Sequence, residues 1–235
     1  MELNSYIDHT NLKNTATLKD IEKLCNEAIK YHFHSVCVYP YYVPLVKELL
    51  KGTSIDVCTV IGFPSGMNTK ETKVYEAIDA VEKGATEIDM VINIAALKNK
   101  DYDYVKEEIE EIRDAIDGKI LKVIIETCLL NDKEIVKMTE ICNETFVNFI
   151  KTSTGFSESG AKVEDVELIN DHKGEVLEIK ASGGIRDLKT MEEMINAGAT
   201  RIGTSSGVSI MHEEMHDCHT EHVCHCHHHK DEFND

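Results

Sequence analysis

The chain of 235 residues has no tryptophan, only 3 prolines, and 25 lysines and arginines against 43 acidic residues. Its net charge of −18 gives no electrostatic basis for binding nucleic acid or an anionic membrane surface. Residues 1–20 carry neither a basic leader nor a long apolar run, so no signal peptide and no membrane span is expected. No G-x-G-x-x-G follows the first strand-like segment, which argues against a dinucleotide fold. A secreted disulfide framework is missing as well. Of the 8 cysteines, Cys25, Cys37, Cys58, Cys128 and Cys142 fall inside predicted strands and helices, where a reduced thiol behaves as a small apolar side chain. Cys218, Cys224 and Cys226 fall in a histidine-rich tail. The expected compartment is the cytoplasm.

What is present is ordinary for a soluble globular protein: 42% hydrophobic and 29% charged residues, enough for one large core. Short β-rich runs alternate with longer helical patterns. Strands are predicted at 6–8, 35–39, 57–62, 87–93, 121–126, 147–152, 176–182 and 201–204. Thr17 caps a helix whose stripe is Leu18, Ile21, Leu24, Cys25, Ala28 and Ile29. Gly84 reads as the residue ending a helix over 69–83. Asn131 or Asp132, and Asp187, read as further caps. Eight strand–helix alternations without a break predict an α/β fold, a (β/α)8 TIM barrel over 1–210, in preference to a doubly wound open sheet. A flexible His/Cys-rich tail is expected over 211–235.

Strand alternation sorts the side chains, because one face of each barrel strand meets the helices and the other fills the interior. Leu121, Val123 and Ile125 make an aliphatic outer face, which turns Lys122, Ile124 and Glu126 inward. Leu177, Ile179 and Ala181 do the same for Glu178, Lys180 and Ser182. Ile88, Met90 and Ile92 leave Glu87, Asp89, Val91 and Asn93 inside. Lys151 shares a face with Val147 and Phe149, and Cys37 with Ser35 and Tyr39. The interior should therefore hold Lys122, Lys151, Lys180, Asp89 and Glu126, in a place normally packed with aliphatic groups. A purely structural salt-bridge network would account for them. A reactive site does so too, and charged groups in such positions tend to be functional.

The stretch Asn148-Phe149-Ile150-Lys151-Thr152-Ser153-Thr154-Gly155-Phe156 suggests which lysine reacts. A desolvated lysine beside a second cation loses its proton more readily and can form a Schiff base with a carbonyl. Lowering a lysine from about 10.4 by ~3 units costs its ammonium form about 4 kcal/mol. Lys180 beside Lys151 would supply that cation, and Asp89 would carry protons between amine and substrate. Ser182-Gly183-Gly184-Ile185-Arg186 and Gly203-Thr204-Ser205-Ser206-Gly207 follow the last two strands, where barrel enzymes often hold phosphate. Their glycines allow close backbone approach, and a helix start offers N–H groups. Gly155 is a further donor.

Phe149-Ile150-Lys151-Thr152-Ser153-Thr154-Gly155-Phe156, Lys180-Ala181-Ser182-Gly183-Gly184-Ile185-Arg186, Glu87-Ile88-Asp89-Met90-Val91-Ile92-Asn93 and Lys122-Val123-Ile124-Ile125-Glu126-Thr127 together resemble the deoxyribose-phosphate aldolases, over about residues 1–210. The resemblance implies a class I aldolase on a (β/α)8 barrel. It would reversibly cleave 2-deoxyribose 5-phosphate to glyceraldehyde 3-phosphate and acetaldehyde, without metal or organic cofactor. It implies that Lys151 forms the Schiff base, that Lys180 lowers its pKa and that Asp89 transfers protons. Cys37 and Lys122 would line the site, Gly183, Gly184, Ser205 and Ser206 would bind phosphate, and the enzyme would be a homo-oligomer. Some members place a C-terminal tyrosine in the site. This chain has no tyrosine after Tyr104, so slower exchange at the donor carbon is expected. Another Schiff-base aldolase or a transaldolase-like enzyme, acting on a different phosphorylated sugar, is the alternative enzyme reading.

From His212 onward the composition changes. His212, His216, His219, His222, His225, His227, His228 and His229 join the three tail cysteines, a ligand set suited to adventitious or regulatory binding of a transition metal. A metal-binding protein on a barrel scaffold is therefore the reading from another class. His212-Glu213-Glu214-Met215-His216 fits H-E-x-x-H, but it lies past the last strand and away from any cleft, which excludes a metalloprotease.

Overall fold

Eight parallel strands pair in chain order, and the first closes on the last. The computed structural model describes residues 2–224. The strands are β1 (Ile7–Asn11), β2 (Ser35–Val38), β3 (Asp56–Ile61), β4 (Glu87–Val91), β5 (Ile120–Ile124), β6 (Phe149–Lys151), β7 (Glu178–Ser182) and β8 (Arg201–Thr204). The helices are α1 (Leu18–Tyr31), α2 (Val43–Leu49), α3 (Lys70–Lys83), α4 (Ile94–Lys98), α5 (Tyr102–Ala115), α6 (Asp132–Glu144), α7 (Val163–His172), α8 (Leu188–Asn196) and α9 (Gly207–Cys224). The arrangement is the closed (β/α)8 barrel that the sequence predicts.

Local chemistry sets the element ends. Thr17 accepts from the Asp20 N–H while Asp20 accepts from the Thr17 N–H at 2.7 Å, a reciprocal cap on α1. Asn131 and Glu134 repeat the device on α6. Gly84 ends α3 at φ 118°, a conformation that a side chain would resist.

The strands divide the apolar residues into two bodies. Leu121, Val123 and Ile125 of the fifth unit, with Ile179 and Ala181 of β7, join the large core between sheet and helices. Leu12, Cys37, Cys58 and Val60 form a small separate cluster inside the barrel, with Tyr39 and Phe63 against it. The rest of the interior is largely ionic.

Several predicted boundaries shift. The first strand is longer, because Tyr6 closes a 3-10 turn and pairing runs on to Asn11. β6 is shorter than predicted, and Val147 packs into the outer core instead of sharing an inward face with Lys151. Asn93 lies past β4 and caps the unforeseen α4 by accepting from the Ala96 N–H, so it does not face inward from a strand. The boundary expected at residue 210 falls inside α9. There Met211 is buried in the outer core, His212 meets the Tyr31 hydroxyl at 2.7 Å, and Glu213 accepts from the Leu188 N–H. The metal-binding expectation rests largely on side chains from His216 onward, which lie outside the described residues.

Candidate active site

The barrel register brings the ionic residues of six strands to one place. Asp89 of β4 pairs with Lys122 of β5, Lys151 of β6 with Lys180 of β7, and Lys180 with Arg201 of β8. Parallel strands pair at nearly constant spacing, so inward side chains at matched positions must meet.

Asp89 is the hub and is fully buried. Its Oδ2 accepts from both Lys151 Nζ and Lys180 Nζ at 2.8 Å. Its Oδ1 accepts from Lys122 Nζ at 2.8 Å and from the Cys58 thiol at 3.2 Å. Below it, Lys180 also contacts Asp8 Oδ2 at 2.6 Å, and Lys122 contacts Glu87 at 2.5 Å. Arg201 closes the base, 2.9 Å from Asp8 and 3.2 Å from Glu87. Its guanidinium stands over the Phe149 ring. Charge-assisted bonds of this kind make burial of the ions tolerable.

The cluster sets its own protonation. Burial alone would raise the Asp89 carboxyl, but the ammonium groups of Lys122, Lys151 and Lys180 outweigh it and hold the carboxyl well below the usual range. Burial would lower Lys180, but Asp8 and Asp89 reverse that and push it upward. Lys122 is likewise pushed up by its carboxylates against burial. Four cations stand against the three carboxylates of Asp8, Glu87 and Asp89. Lys151 is the cation with a single carboxylate contact, and the only one of the four on the wall of the cavity above.

Lys151 and Lys180 converge on one carboxylate oxygen, Asp89 Oδ2, which stands as a shared anion between the two amines.

Above Lys151 lies an open cavity of about 680 Å³ at the C-terminal end of the strands. Gly155, Gly183, Gly184 and Ser205 stand on its wall, with Thr154, Phe156 and Arg186 beside them. Gly155, Gly183 and Gly184 all have φ between 81° and 84°, which turns their backbone in a way an L side chain resists. A Cβ on Gly183 would come within 2.9 Å of the Gly160 backbone. The loops after β6 and β7 are thus pressed together, with the Ala161 N–H donating to the Ser182 and Gly183 carbonyls.

Three predicted residues sit elsewhere. Cys37 and Lys122 are fully buried below the cavity and form no part of its wall. Ser206 is also off the wall, and its N–H donates to the Thr204 hydroxyl at 2.9 Å. Glu126 is separated from the hub. It sits beyond β5 at φ 55° and accepts from the Thr154 N–H and hydroxyl, fastening the loop that follows β6.

Asp8, Cys58 and Arg201 belong to the cluster although the sequence reading did not select them. Alternation does contain the signal. It puts Cys58 on one face with Val60, and Arg201 with Gly203. Asp8 lies within the predicted first strand, on the face opposite Ile7, which packs in the outer core.

The network predicts acid lability. Burial raises Glu87, but Lys122, the His34 hydrogen bond and Arg201 bring it from 4.5 down to about 2. A depressed carboxylate stabilises the fold fully above its unfolded value, and that stability is lost as pH falls through the folded value. Unfolding free energy should therefore drop by roughly 3 kcal/mol from this group alone as pH falls from 4.5 toward 2. Urea midpoints across that range measure it. Glu87→Gln should be less stable near neutrality and show a shallower acid slope, and an unchanged slope contradicts the assignment.

Comparison with known proteins agrees with the geometry. A family profile described as DeoC/LacD family aldolase matches residues 3–213. The deoxyribose-phosphate aldolase of Clostridium tetani is 58% identical over 214 residues, covering 91% of this chain and 99% of that one. The deoxyribose-phosphate aldolase of Finegoldia magna is 56% identical over 211 residues, covering 90% and 99%. Among solved structures, the tetrameric deoxyribose phosphate aldolase of Aeropyrum pernix superposes with a TM-score of 0.84 at 32% identity, covering 91% of each chain.

Proposed function

The chain belongs to the DeoC/LacD family of aldolases, and from that premise we propose that it cleaves 2-deoxyribose 5-phosphate reversibly to glyceraldehyde 3-phosphate and acetaldehyde through a Schiff base on Lys151. The observation that carries the assignment of Lys151 is its position. It is the one amine of the ionic cluster that reaches the cavity, and Asp89 ties it to the other two.

The chemistry follows from those contacts. Lys151 Nζ, as free amine, attacks the substrate aldehyde. The carbinolamine loses water to give an iminium ion. Removal of the proton from the C3 hydroxyl breaks the C2–C3 bond, and the electron pair passes into the iminium to leave an enamine on Lys151. Glyceraldehyde 3-phosphate departs. Protonation and hydrolysis of the enamine release acetaldehyde.

Asp89 is held as a carboxylate by three cations, so in the resting enzyme it is a weak base. The neutral Lys151 amine removes one of those cations only until the iminium forms, so when the C3 hydroxyl gives up its proton Asp89 again faces three positive charges and serves to relay the proton, not to store it. Lys180, bound to Asp8 as well as Asp89, supplies the next site along the path. Gly155, Gly183, Gly184 and Ser205 offer backbone to the phosphate from the cavity wall, and Arg186 adds positive charge there. Ser206 would reach it only with its turn rearranged. No helix among the described residues is long and apolar enough to cross a membrane. The proposal includes a homo-oligomer, as in the Aeropyrum relative, acting in the cytoplasm, where Cys25, Cys37, Cys58, Cys128 and Cys142, each a free thiol, would stay reduced.

Cleavage of 2-deoxyribose 5-phosphate, followed by coupling the released aldehydes to a reducing dehydrogenase, tests the reading against other sugar phosphates. The phosphate must be required. Gly183→Ala should raise KM about tenfold, roughly 1.4 kcal/mol, with a smaller change in kcat, because the added methyl meets Gly160. Equal rates on the unphosphorylated sugar would remove the phosphate loops from the account.

A further inference from the structure

Cys37 of β2 and Cys58 of β3 are register partners on neighbouring parallel strands, and both side chains enter the barrel. Neighbouring strands lie about 4.8 Å apart, within the ~4.4–6.8 Å that a disulfide spans between Cα atoms. Their two sulfurs and a carboxylate oxygen of Asp89 lie within 4.8 Å of one another. Among the described residues the other buried thiols, Cys25 and Cys142, are in the outer core on the far side of the sheet.

Two sulfurs and a carboxylate have the form of a site for a thiophilic dication. The charges argue against that occupant, because Asp89 already holds three ammonium groups. The same cations favour a thiolate. The Cys58 thiol beside it, and then the Lys180 ammonium, hold Cys37 below the ordinary thiol value against burial. Burial, the neighbouring Cys37 and Asp89 push Cys58 up. The pair is therefore asymmetric, one sulfur disposed to attack and the other keeping its proton.

We propose that Cys37 and Cys58 form a peroxide-oxidisable dithiol beneath Lys151, and that its closure to a disulfide switches the aldolase site off. In the first step the Cys37 thiolate attacks hydrogen peroxide. An S–O bond forms, the O–O bond breaks, and hydroxide leaves as water with a proton drawn from the lysine cluster. In the second, the Cys58 sulfur attacks the Cys37 sulfenic acid. The S–S bond forms, the S–O bond breaks, and water leaves with the Cys58 proton. Peroxide takes up the two electrons that the two sulfurs lose. Peroxide, little larger than water, enters by the cavity that exposes Lys151, and the Asp89 carboxylate that Lys151 contacts lies within 4.8 Å of the Cys37 sulfur as well as that of Cys58. Closure withdraws the Cys58 proton from Asp89 Oδ1 and ties β2 to β3, the strand paired with the one that carries the hub. The loss of activity rests on the aldolase reading, whereas the cross-link does not.

The test uses the full chain with Cys128, Cys218, Cys224 and Cys226 changed to serine, which leaves the pair and the two outer-core thiols. Hydrogen peroxide is added, and peptides are mapped by mass without reduction. The expected result is a Cys37–Cys58 linked peptide, aldolase activity lost in proportion to the linked fraction, and recovery of both with dithiothreitol. In Cys58→Ala, peroxide should leave a sulfenic acid on Cys37 that dimedone traps. Both thiols surviving a peroxide dose that oxidises exposed methionine overturns the proposal, as does over-oxidation of Cys37 with no cross-link, or full activity in cross-linked protein. If the unoxidised protein lacks aldolase activity, the functional reading fails and the peptide map still decides the dithiol.

Discussion

Lys151→Ala should lose at least ~1,000-fold in kcat, about 4 kcal/mol of transition-state stabilisation, and should lose all borohydride-trapped adduct. With acetaldehyde and sodium borohydride, the unsubstituted chain should gain an ethyl group on the peptide carrying Lys151. The argument is geometric. Lys122 and Lys180 are as nucleophilic in principle, but each is fully buried and held by at least two carboxylates. Lys151 has one such contact and faces the cavity. Removing its amine should leave the fold intact, because Asp89 keeps two cations. The informative control is Lys180→Ala, which should slow turnover while Lys151 still traps the aldehyde. An adduct on Lys180 or Lys122 in the unsubstituted protein would sink the assignment.

Asp89→Asn should damage both stability and chemistry. The carboxylate is the meeting point of three ammonium groups in a fully buried position. An amide of the same shape leaves them facing each other, and breaking a buried pair typically costs about 3–5 kcal/mol. The urea midpoint should fall accordingly. Turnover should fall by ~100-fold or more, since general acid–base assistance contributes about that much. Its pH dependence separates the two effects. Raising the pH should restore part of the stability as the surplus ammonium charge is titrated away, but it should not restore the proton path. A variant as stable as the parent would show that Asp89 is not the electrostatic hub.

The barrel was legible in the sequence because period-two alternation is a local property. Leu121-Lys122-Val123 and Ile179-Lys180-Ala181 each declare which face meets the helices, and the outer core confirms them. The lysines and Asp89 could be placed together for the same reason. The sharing of one oxygen by Lys151 and Lys180 could not be read, because it depends on register across β4, β6 and β7. Asp8 and Arg201 were missed for a related reason. They lie 193 residues apart in sequence and meet only because β8 closes on β1. Cys37 and Lys122 were on the correct face, but facing inward does not fix depth, and both sit below the cavity. Glu126 left the cluster because its backbone turns left-handed just past the strand, which alternation assumes will not happen.

The ladder from Arg201 to Lys151 also constrains how such a sequence can change over time. Asp8 and Glu87 each answer more than one cation, so losing a single member strands another. Neutral drift at these positions should therefore proceed through coupled exchanges, acid and base disappearing together, with Glu87 and Arg201 a pair that makes no contact with Lys151. Among distant relatives these columns should covary even where the residues never touch substrate.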